Sequence, residues 1–329
     1  MAKVDGSDPI VSTEYGKIEG FNYKTAKGFK SQIFLGIPFA EPPIGNLRYE
    51  KPLPPSPWTF ILKAKEYGHQ SITFKNQPVP DASENSLTLN IMKPLLPSDD
   101  PSGYPVMVFI HGGAFIAGSS ANHSYKEIVD RLVSQNVIVA TVNYRLGPFG
   151  FFSTGDSNAP GNYGLWDQIE ALKFIHKVIS CFNGNPQNVT IFGASAGGAS
   201  VSWLTLCPEA KNLFCRAITM GGSAFASWAH EEEDLLQHSK LLAKAAGCSE
   251  SENVKECMKQ KSAKEIIAAA STFIKSEVRG DSVNFGYFYP RFDGEFVNGN
   301  TMKEAVKNAP KKSNFLGICS QEYSSFGGF

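Results

Sequence analysis

Short apolar runs rich in strand-forming residues alternate along the chain with segments of helical periodicity. The runs are almost wholly apolar, as is typical of strands that are buried on both faces of a sheet. The helical segments place apolar residues every three or four positions, which gives each helix one buried face. This alternation is typical of an α/β protein. The predicted strands span residues 106–110, 137–142, 189–192, 217–220 and 315–319, and the predicted helices span 127–133 and 165–179.

The first sixty residues follow a different pattern. Residues 10–40 contain short strand-like runs separated by turns at Gly16 and Gly28, which predicts an antiparallel start to the sheet. Six prolines then lie between residues 42 and 57. Because proline cannot donate a backbone hydrogen bond, we expect no regular element there.

The most informative stretch is residues 188–200, where a predicted strand runs directly into small residues. Gly193 and Gly197 flank Ser195 in a Gly-x-Ser-x-Gly pattern. Such glycines allow a sharp strand-to-helix turn that presents the serine oxygen above a sheet edge. Ser195 is therefore a candidate nucleophile. The alternative is that the small residues only mark a close turn.

A second glycine-rich turn, His-Gly-Gly-Ala-Phe at residues 111–115, follows another predicted strand. Such a turn can aim several backbone N–H groups at one point, and the oxyanion formed during ester cleavage needs two or three such donors. We predict that Gly113 and Ala114 supply two of them and that Ala196, the residue after Ser195, supplies the third. His-Gly-Gly alone is often only a tight turn, but its pairing with Gly-x-Ser-x-Gly farther along the chain favours catalysis.

With these motifs the chain resembles the type-B carboxylesterase and cholinesterase family of α/β-hydrolases. The resemblance covers nearly the whole chain in the family's order. It implies the α/β-hydrolase fold, with a mostly parallel central sheet and helices on both faces. It also implies a single domain over residues 1–329 that is incomplete at its C-terminus. The matching segments are residues 34–43, 47–49, 111–115, 143–151, 161–168 and 182–186, together with the serine turn.

The resemblance assigns further residues to the site. Glu322 falls where the family has the acid of its triad, which holds an imidazole in one tautomer. The family often has glycine after this acid, whereas here Tyr323 follows. Without the resemblance, Glu322 is one carboxylate near a strand end. Phe115 and Phe149 are expected to line an apolar substrate pocket, although core packing explains each of them equally well.

A helical insertion is predicted at residues 228–275. The acidic run at residues 231–234 opens a helix, where negative charge meets the positive end of the helix dipole. Ser262 and Glu265 have the spacing of a capping box before an alanine-rich turn. We expect this insertion to roof the active site.

The catalytic histidine is missing from its expected place. Triad order in this fold is serine, then acid, then histidine, yet no histidine follows His238. We therefore expect a fragment or shortened product of a longer enzyme. Serine is a weak nucleophile without a neighbouring base, so residues 1–329 alone are expected to be nearly inactive.

Two other features depart from the family or stay open. Ala194 stands where the family most often has glutamate, which removes a buried carboxylate but leaves the turn geometry unchanged. Cys248 and Cys257 match a second family disulfide, and both a bridge and two free thiols remain possible. The resemblance also implies two structural ion pairs, Arg48 with Glu84 and Arg145 with Asp167.

Composition narrows the choice of partner. The chain carries 31 basic and 31 acidic residues, so its charge gives no reason to expect nucleic acid or an anionic membrane. Neither a signal peptide nor a membrane-spanning run is evident, and six cysteines are few. We therefore expect a cytoplasmic protein. No Cys-x-x-Cys or His-x-x-x-His spacing occurs, so neither a metal nor another cofactor is expected.

These observations predict a serine carboxylic-ester hydrolase that forms an acyl-enzyme on Ser195 and acts on small, neutral, largely apolar esters. Residues 71–86 lack the tryptophan that binds choline by cation–π attraction in cholinesterases, which argues against choline esters. The alternatives are a non-catalytic binding protein of the same family and a degenerate protein without activity. The strand at 315–319 is expected to expose an apolar edge that favours self-association.

Overall fold

All of the predicted strands and helices are present in the computed structural model, which describes residues 7–73, 81–249, 253–273, 286–299 and 301–320. The largest difference lies in the strand before Ser195, which begins at Gly184 and so before its predicted start. The strands are β1 (Ile10–Thr13), β2 (Gly16–Glu19), β3 (Phe21–Lys24), β4 (Lys30–Pro38), β5 (Ile61–Lys63), β6 (Gln70–Ser71), β7 (Ala82–Ser83), β8 (Thr88–Pro94), β9 (Tyr104–Ile110), β10 (Ile138–Val142), β11 (Gly184–Ala194), β12 (Arg216–Met220) and β13 (Ser313–Gly317).

The described residues form eight α-helices, of which the first and the third match the helices predicted at residues 127–133 and 165–179 to within two residues. They are α1 (Tyr125–Arg131), α2 (Gly147–Phe151), α3 (Tyr163–Val178), α4 (Ala196–Leu206), α5 (Glu232–Ala245), α6 (Val254–Lys259), α7 (Ala263–Ser271) and α8 (Met302–Asn308). Short 3₁₀ helices span Gly45–Leu47, Val133–Gln135, Ile179–Phe182, Pro208–Asn212 and Ser227–Ala229. None of the helices in the described ranges is long and apolar enough to cross a bilayer.

The main sheet has eight strands in the order β13-β12-β11-β9-β10-β8-β4-β3. The five strands from β13 to β10 pair in parallel, whereas β10, β8, β4 and β3 pair antiparallel. The predicted antiparallel start and the mostly parallel centre are therefore both confirmed. Smaller sheets contain β1, β2 and β5, and β6 with β7.

Successive residues of the central strands face opposite sides of the sheet. In β10, Ile138 and Ala140 join the larger hydrophobic cluster, which contains the apolar faces of α3 and α4. Val139, between them, joins a smaller cluster with Ile128 and Val129 of α1. Helices therefore cover both faces of the sheet, which explains why the strand sequences are apolar without alternation.

Two buried ion pairs tie loops to this framework as predicted. Arg145 and Asp167 are joined at 2.7 Å and 2.8 Å, and both side chains are almost wholly buried. Arg48 binds both carboxylate oxygens of Glu84 at 2.6 Å and 2.7 Å. Two N–H groups meeting two oxygens fix the relative orientation of the partners, which suits a structural role.

Three helices, α5, α6 and α7, occupy the range of the predicted insertion. The capping box is confirmed, because the Ser262 hydroxyl accepts from the Glu265 amide while the Glu265 carboxylate accepts from the Ser262 amide. Cys248 and Cys257 form a disulfide, which resolves the alternative left open by the sequence. That these helices roof the active site stays a prediction.

The outer strand β13 is exposed along its whole length. Phe315 is 68% exposed and Leu316 is 75% exposed, and Ile318 just beyond the strand is 85% exposed. The predicted apolar edge is therefore present. Self-association through it stays a prediction.

Candidate active site

Ser195 occupies a sharp turn between a strand and a helix. Strand β11 ends at Ala194 and helix α4 begins at Ala196, with Ser195 between them at φ 56° and ψ −127°. Side chains rarely adopt this backbone conformation, so the turn is strained. The Ser195 amide donates to the Met220 carbonyl at 2.9 Å, and the Ser195 carbonyl accepts from Ala199 at 2.9 Å. These bonds hold the strained residue in place while its side chain stays exposed.

The glycines around Ser195 allow backbone to pack against backbone. A Cβ atom on Gly197 would lie 2.1 Å from the Ile110 carbonyl oxygen, and one on Gly193 would lie 2.7 Å from the same atom. A Cβ on Gly222, which the sequence analysis missed, would lie 2.0 Å from the Ser195 carbonyl oxygen. Since atoms cannot approach this closely, the site requires glycine at all three positions. The Gly-Gly pair after β12 was the sequence signal for Gly222.

The predicted oxyanion turn lies directly beside Ser195. A Cβ on Gly112 would lie 3.3 Å from the Ser195 Cβ. The next three residues all have positive φ, at 120° for Gly113, 53° for Ala114 and 60° for Phe115. Strained backbone of this kind concentrates at functional sites. The structure thus brings the two glycine-containing turns together.

The three predicted oxyanion donors are backbone amides that can still donate a hydrogen bond to a ligand. Within the described residues, the amides of Gly113 and Ala114 donate to no protein acceptor, although the Gly113 carbonyl accepts from Ala117 at 2.9 Å. Ala196 is the first residue of α4, where helix amides lack intrahelical acceptors and the helix dipole is positive. Such a setting is suited to stabilising negative charge beside Ser195. Their roles in catalysis stay predictions.

A buried polar cluster lies behind the oxyanion turn. The Tyr144 hydroxyl donates to the His111 carbonyl at 2.8 Å, and the two rings stack with their centroids 4.4 Å apart. Burial lowers the pKa of His111 from 6.5 to about 4, so the ring is neutral near pH 7. Gln168 donates to the Ser200 hydroxyl at 3.0 Å. No local sequence pattern indicates this cluster.

The predicted acid and the proton acceptor are not seen beside Ser195. Glu322 lies outside the described residues. Within the described part of the chain, the Ser195 hydroxyl has no histidine partner. His111, the histidine next to the oxyanion turn, is fully buried and its Nδ1 pairs with the Gly112 carbonyl at 2.9 Å. It is therefore placed to hold the turn and not to accept a proton from the serine.

The two predicted pocket residues lie in the protein interior. Phe115 is fully buried and its ring contacts Phe151 at 5.3 Å and Trp228 at 6.4 Å between centroids. Phe149 is 4% exposed. The packing of Phe115 supports the turn that carries the predicted donors, while contact of either residue with substrate stays a prediction.

The described ranges contain no ready set of metal ligands. No group of three or more His, Cys, Asp or Glu side chains there is arranged to hold a metal ion. Among the cysteines, Cys207 is buried and burial raises the pKa of its thiol to about 11, which makes it unreactive.

Comparison with known proteins gives consistent matches. The chain matches the model of the Carboxylesterase family over residues 7–328. It is 41% identical to gut esterase 1 of Caenorhabditis elegans over 324 residues, which is 97% of this chain and 54% of that protein. It is 40% identical to juvenile hormone esterase of Tribolium castaneum over 276 residues, which is 81% of this chain and 46% of that protein.

A mammalian relative agrees with these. Carboxylesterase 1D of Rattus norvegicus is 36% identical over 339 residues, which is 96% of this chain and 59% of that protein. The chain thus spans about half the length of the curated relatives it matches. The match over almost every residue, the mostly parallel sheet and the two apposed turns together establish that this chain belongs to the carboxylesterase family and has its α/β-hydrolase fold.

Proposed function

We propose that this chain carries the nucleophile and oxyanion hole of a serine carboxylic-ester hydrolase. The Ser195 oxygen attacks the ester carbonyl carbon, and the resulting oxyanion accepts hydrogen bonds from the amides of Gly113, Ala114 and Ala196. The alcohol then leaves with a proton, and water hydrolyses the acyl-enzyme. The observation that carries the proposal is the contact between the two turns, so close that a Cβ added to Gly112 would lie 3.3 Å from the Ser195 Cβ.

The serine proton needs an acceptor. We propose that the complete protein supplies a histidine for this purpose and that Glu322 orients it. What supports this proposal is that the chain spans about half the length of the curated relatives it matches. Without that base, residues 1–329 are expected to hydrolyse esters only very slowly.

The proposed substrates are small, neutral, largely apolar esters. The balanced charge of the chain offers no general attraction for an anion or a cation. Aromatic residues also lie at the oxyanion turn, where the Phe115 ring contacts both Phe151 and Trp228. The names of the relatives include esterases of different kinds, and they do not select one natural ester.

Replacing the nucleophile tests the proposal. In the natural protein, Ser195→Ala should lower the kcat for p-nitrophenyl butyrate by on the order of 10⁶-fold, because no other group takes the acyl chain. A phosphonate ester should add one phosphonyl group to the wild-type peptide containing Ser195. Ser180→Ala, an exposed serine in the 3₁₀ helix after α3, is the matched control and should leave turnover unchanged. Undiminished turnover by Ser195→Ala would refute the proposal.

The rival function is a binding protein that holds apolar molecules without chemistry. It predicts that the natural protein binds a fluorescent ester without hydrolysing it and that phosphonate leaves Ser195 unmodified. The exposed Ser195 side chain and the amides beside it that donate to no acceptor among the described residues favour the hydrolase.

Two further features of the proposal concern the setting of the enzyme. We propose that copies self-associate through β13, because its apolar side chains face solvent. We also propose a cytoplasmic location, as the sequence predicts. The Cys248–Cys257 disulfide argues for the alternative, an oxidising compartment, since disulfides persist mainly there. Fractionation of cells that express the tagged natural protein distinguishes the two locations.

A further inference from the structure

The oxyanion turn is held through its carbonyl groups and not through its donors. The Gly113 carbonyl accepts from Ala117 at 2.9 Å and the Phe115 carbonyl accepts from Gly147 at 2.7 Å, whereas the Gly113 and Ala114 amides donate to no acceptor in the described part of the chain. Ala114 and Phe115 are strained, because both carry side chains at a positive φ. A turn that leaves its donors free for a ligand must be held by its other atoms. Mispositioning donors by a fraction of an ångström weakens transition-state binding, so whatever anchors this turn affects catalysis.

Tyr144 is the anchor at the start of the turn. Its hydroxyl donates to the His111 carbonyl at 2.8 Å, and its ring stacks on the His111 ring at an angle of 19°. The His111 side chain in turn pairs through Nδ1 with the Gly112 carbonyl at 2.9 Å. The peptide groups on both sides of Gly112 are therefore held by one stacked pair, and both rings are excluded from solvent.

The helix that follows the nucleophile is fixed by a separate buried hydrogen bond. Ser200, on α4, accepts from Gln168 of α3 at 3.0 Å, and both side chains are at most 1% exposed. Because a buried polar group without a partner is costly, this bond favours one relative position of α3 and α4. Helix α4 begins with the predicted donor Ala196, so the position of the donors of residues 113–114 relative to Ser195 depends on the anchor at Tyr144.

We propose that Tyr144 is a positioning residue, which sets the oxyanion donors of residues 113–114 in register with Ser195 through the His111 carbonyl. This inference rests on the proposed ester hydrolysis and deepens it. Tyr144 touches no substrate. Its effect should therefore be confined to states in which the carbonyl oxygen of the substrate is charged, and it should not extend to ground-state binding.

The test is Tyr144→Phe in the natural protein, which keeps the stacked ring and removes only the hydroxyl. Loss of one buried hydrogen bond predicts a kcat lower by about 10-fold with KM changed less than about 2-fold. Affinity for an aryl trifluoromethyl ketone should fall by the same factor as kcat/KM, because its adduct with serine places an oxyanion in the same hole.

Tyr49→Phe is the matched control. Tyr49 is also fully buried, but its hydroxyl has no hydrogen-bond partner among the described residues. Its removal should leave kcat, KM and ketone affinity unchanged. His111→Phe provides a second variant should Tyr144→Phe fold poorly. It keeps a ring to stack on Tyr144 but removes the contact with the Gly112 carbonyl, and it should shift kcat and ketone affinity in the same direction by about 3-fold.

The outcomes separate the two proposals. If the wild-type protein neither hydrolyses esters nor binds the ketone, the proposed function fails. If the wild-type protein is active and Tyr144→Phe has unchanged kcat and ketone affinity, or changes KM alone, the positioning role is overturned while the esterase stands. An equal loss in Tyr49→Phe would also overturn it, because that loss would reflect general packing.

Discussion

The turns around Ser195 and the outer strand β13 belong to one sheet but are packed in opposite ways. At the turns, backbone lies against backbone so closely that a Cβ on Gly197 would meet the Ile110 oxygen at 2.1 Å. On β13, Phe315 and Leu316 project large apolar side chains into solvent. The first region therefore tolerates almost no added atom. On β13 the backbone pairs with β12 while these side chains face solvent, so sensitivity to side-chain substitution should be concentrated at the turns.

The two faces of the sheet differ in a related way. The face covered by α3 and α4 belongs to the large continuous hydrophobic cluster. On the other face, beside α1, an open cleft of about 410 Å³ is lined by Phe109, Val139 and Phe192 of β9, β10 and β11. The strands that lead to the two turns are therefore closely packed on one face and partly open on the other.

The largest effect on stability is expected from adding a methyl group where the two turns are in contact. Gly197→Ala should destabilise the protein by at least about 3 kcal/mol, because the new methyl group meets main-chain atoms that cannot move independently. Gly45→Ala is the control, since its Cβ would meet nothing within 4 Å. It carries only the strain of a positive φ, about 1–2 kcal/mol. Urea unfolding measures both, and equal losses would contradict the packing argument.

A smaller, pH-dependent effect is expected from His111 behind the turn. Burial lowers its pKa from 6.5 to about 4, so the folded protein binds fewer protons than the unfolded chain between those values. Above pH 6.5 the ring is neutral in both states, and His111 does not lower the free energy of unfolding. As pH falls from 6.5 toward 4, the free energy of unfolding decreases by about 3 kcal/mol, since each pKa unit corresponds to 1.36 kcal/mol.

The difference between wild type and His111→Phe isolates this effect. Phenylalanine keeps a ring to stack on Tyr144 but does not titrate. The free energy of unfolding of the wild type should therefore fall more steeply between pH 6.5 and 4.5 than that of the variant. Parallel curves would show that His111 is not responsible.

The smallest effect on stability is expected at β13. Leu316→Lys should change the free energy of unfolding by less than about 0.5 kcal/mol, because the side chain is already 75% exposed. The same substitution should reduce self-association, since a charge on an edge strand opposes pairing with another chain. Sedimentation velocity at several concentrations measures it. A monomeric wild type would remove the basis for self-association.

Local patterns account for what could be predicted from the sequence. Unbroken apolar runs indicated the central strands, and small residues around Ser195 indicated the turn because close backbone packing requires them. The Ser262–Glu265 capping box was predictable for the same reason, since its partners lie three residues apart. The end of β13 was placed two residues too late, because Ile318 and Cys319 continue the apolar pattern after the pairing with β12 ends at Gly317.

Contacts between distant segments could not be predicted in this way. Tyr144 and His111 follow different strands, and only the parallel pairing of β10 with β9 brings them together. Similarly, the sequence left the state of Cys248 and Cys257 open, because spacing alone does not determine whether two thiols meet. The assignment of Glu322 lies outside the described residues and stays a prediction.

The strained backbone conformation at Ser195 links the stability of the protein to its activity. A residue held at φ 56° and ψ −127° adopts a conformation natural only to glycine, at an expense of about 1–3 kcal/mol for any other side chain. Substitution by glycine would relax the turn and make the molecule more robust, and in the same step it would abolish the reactive oxygen. Thermal robustness and chemistry therefore oppose each other at this one position.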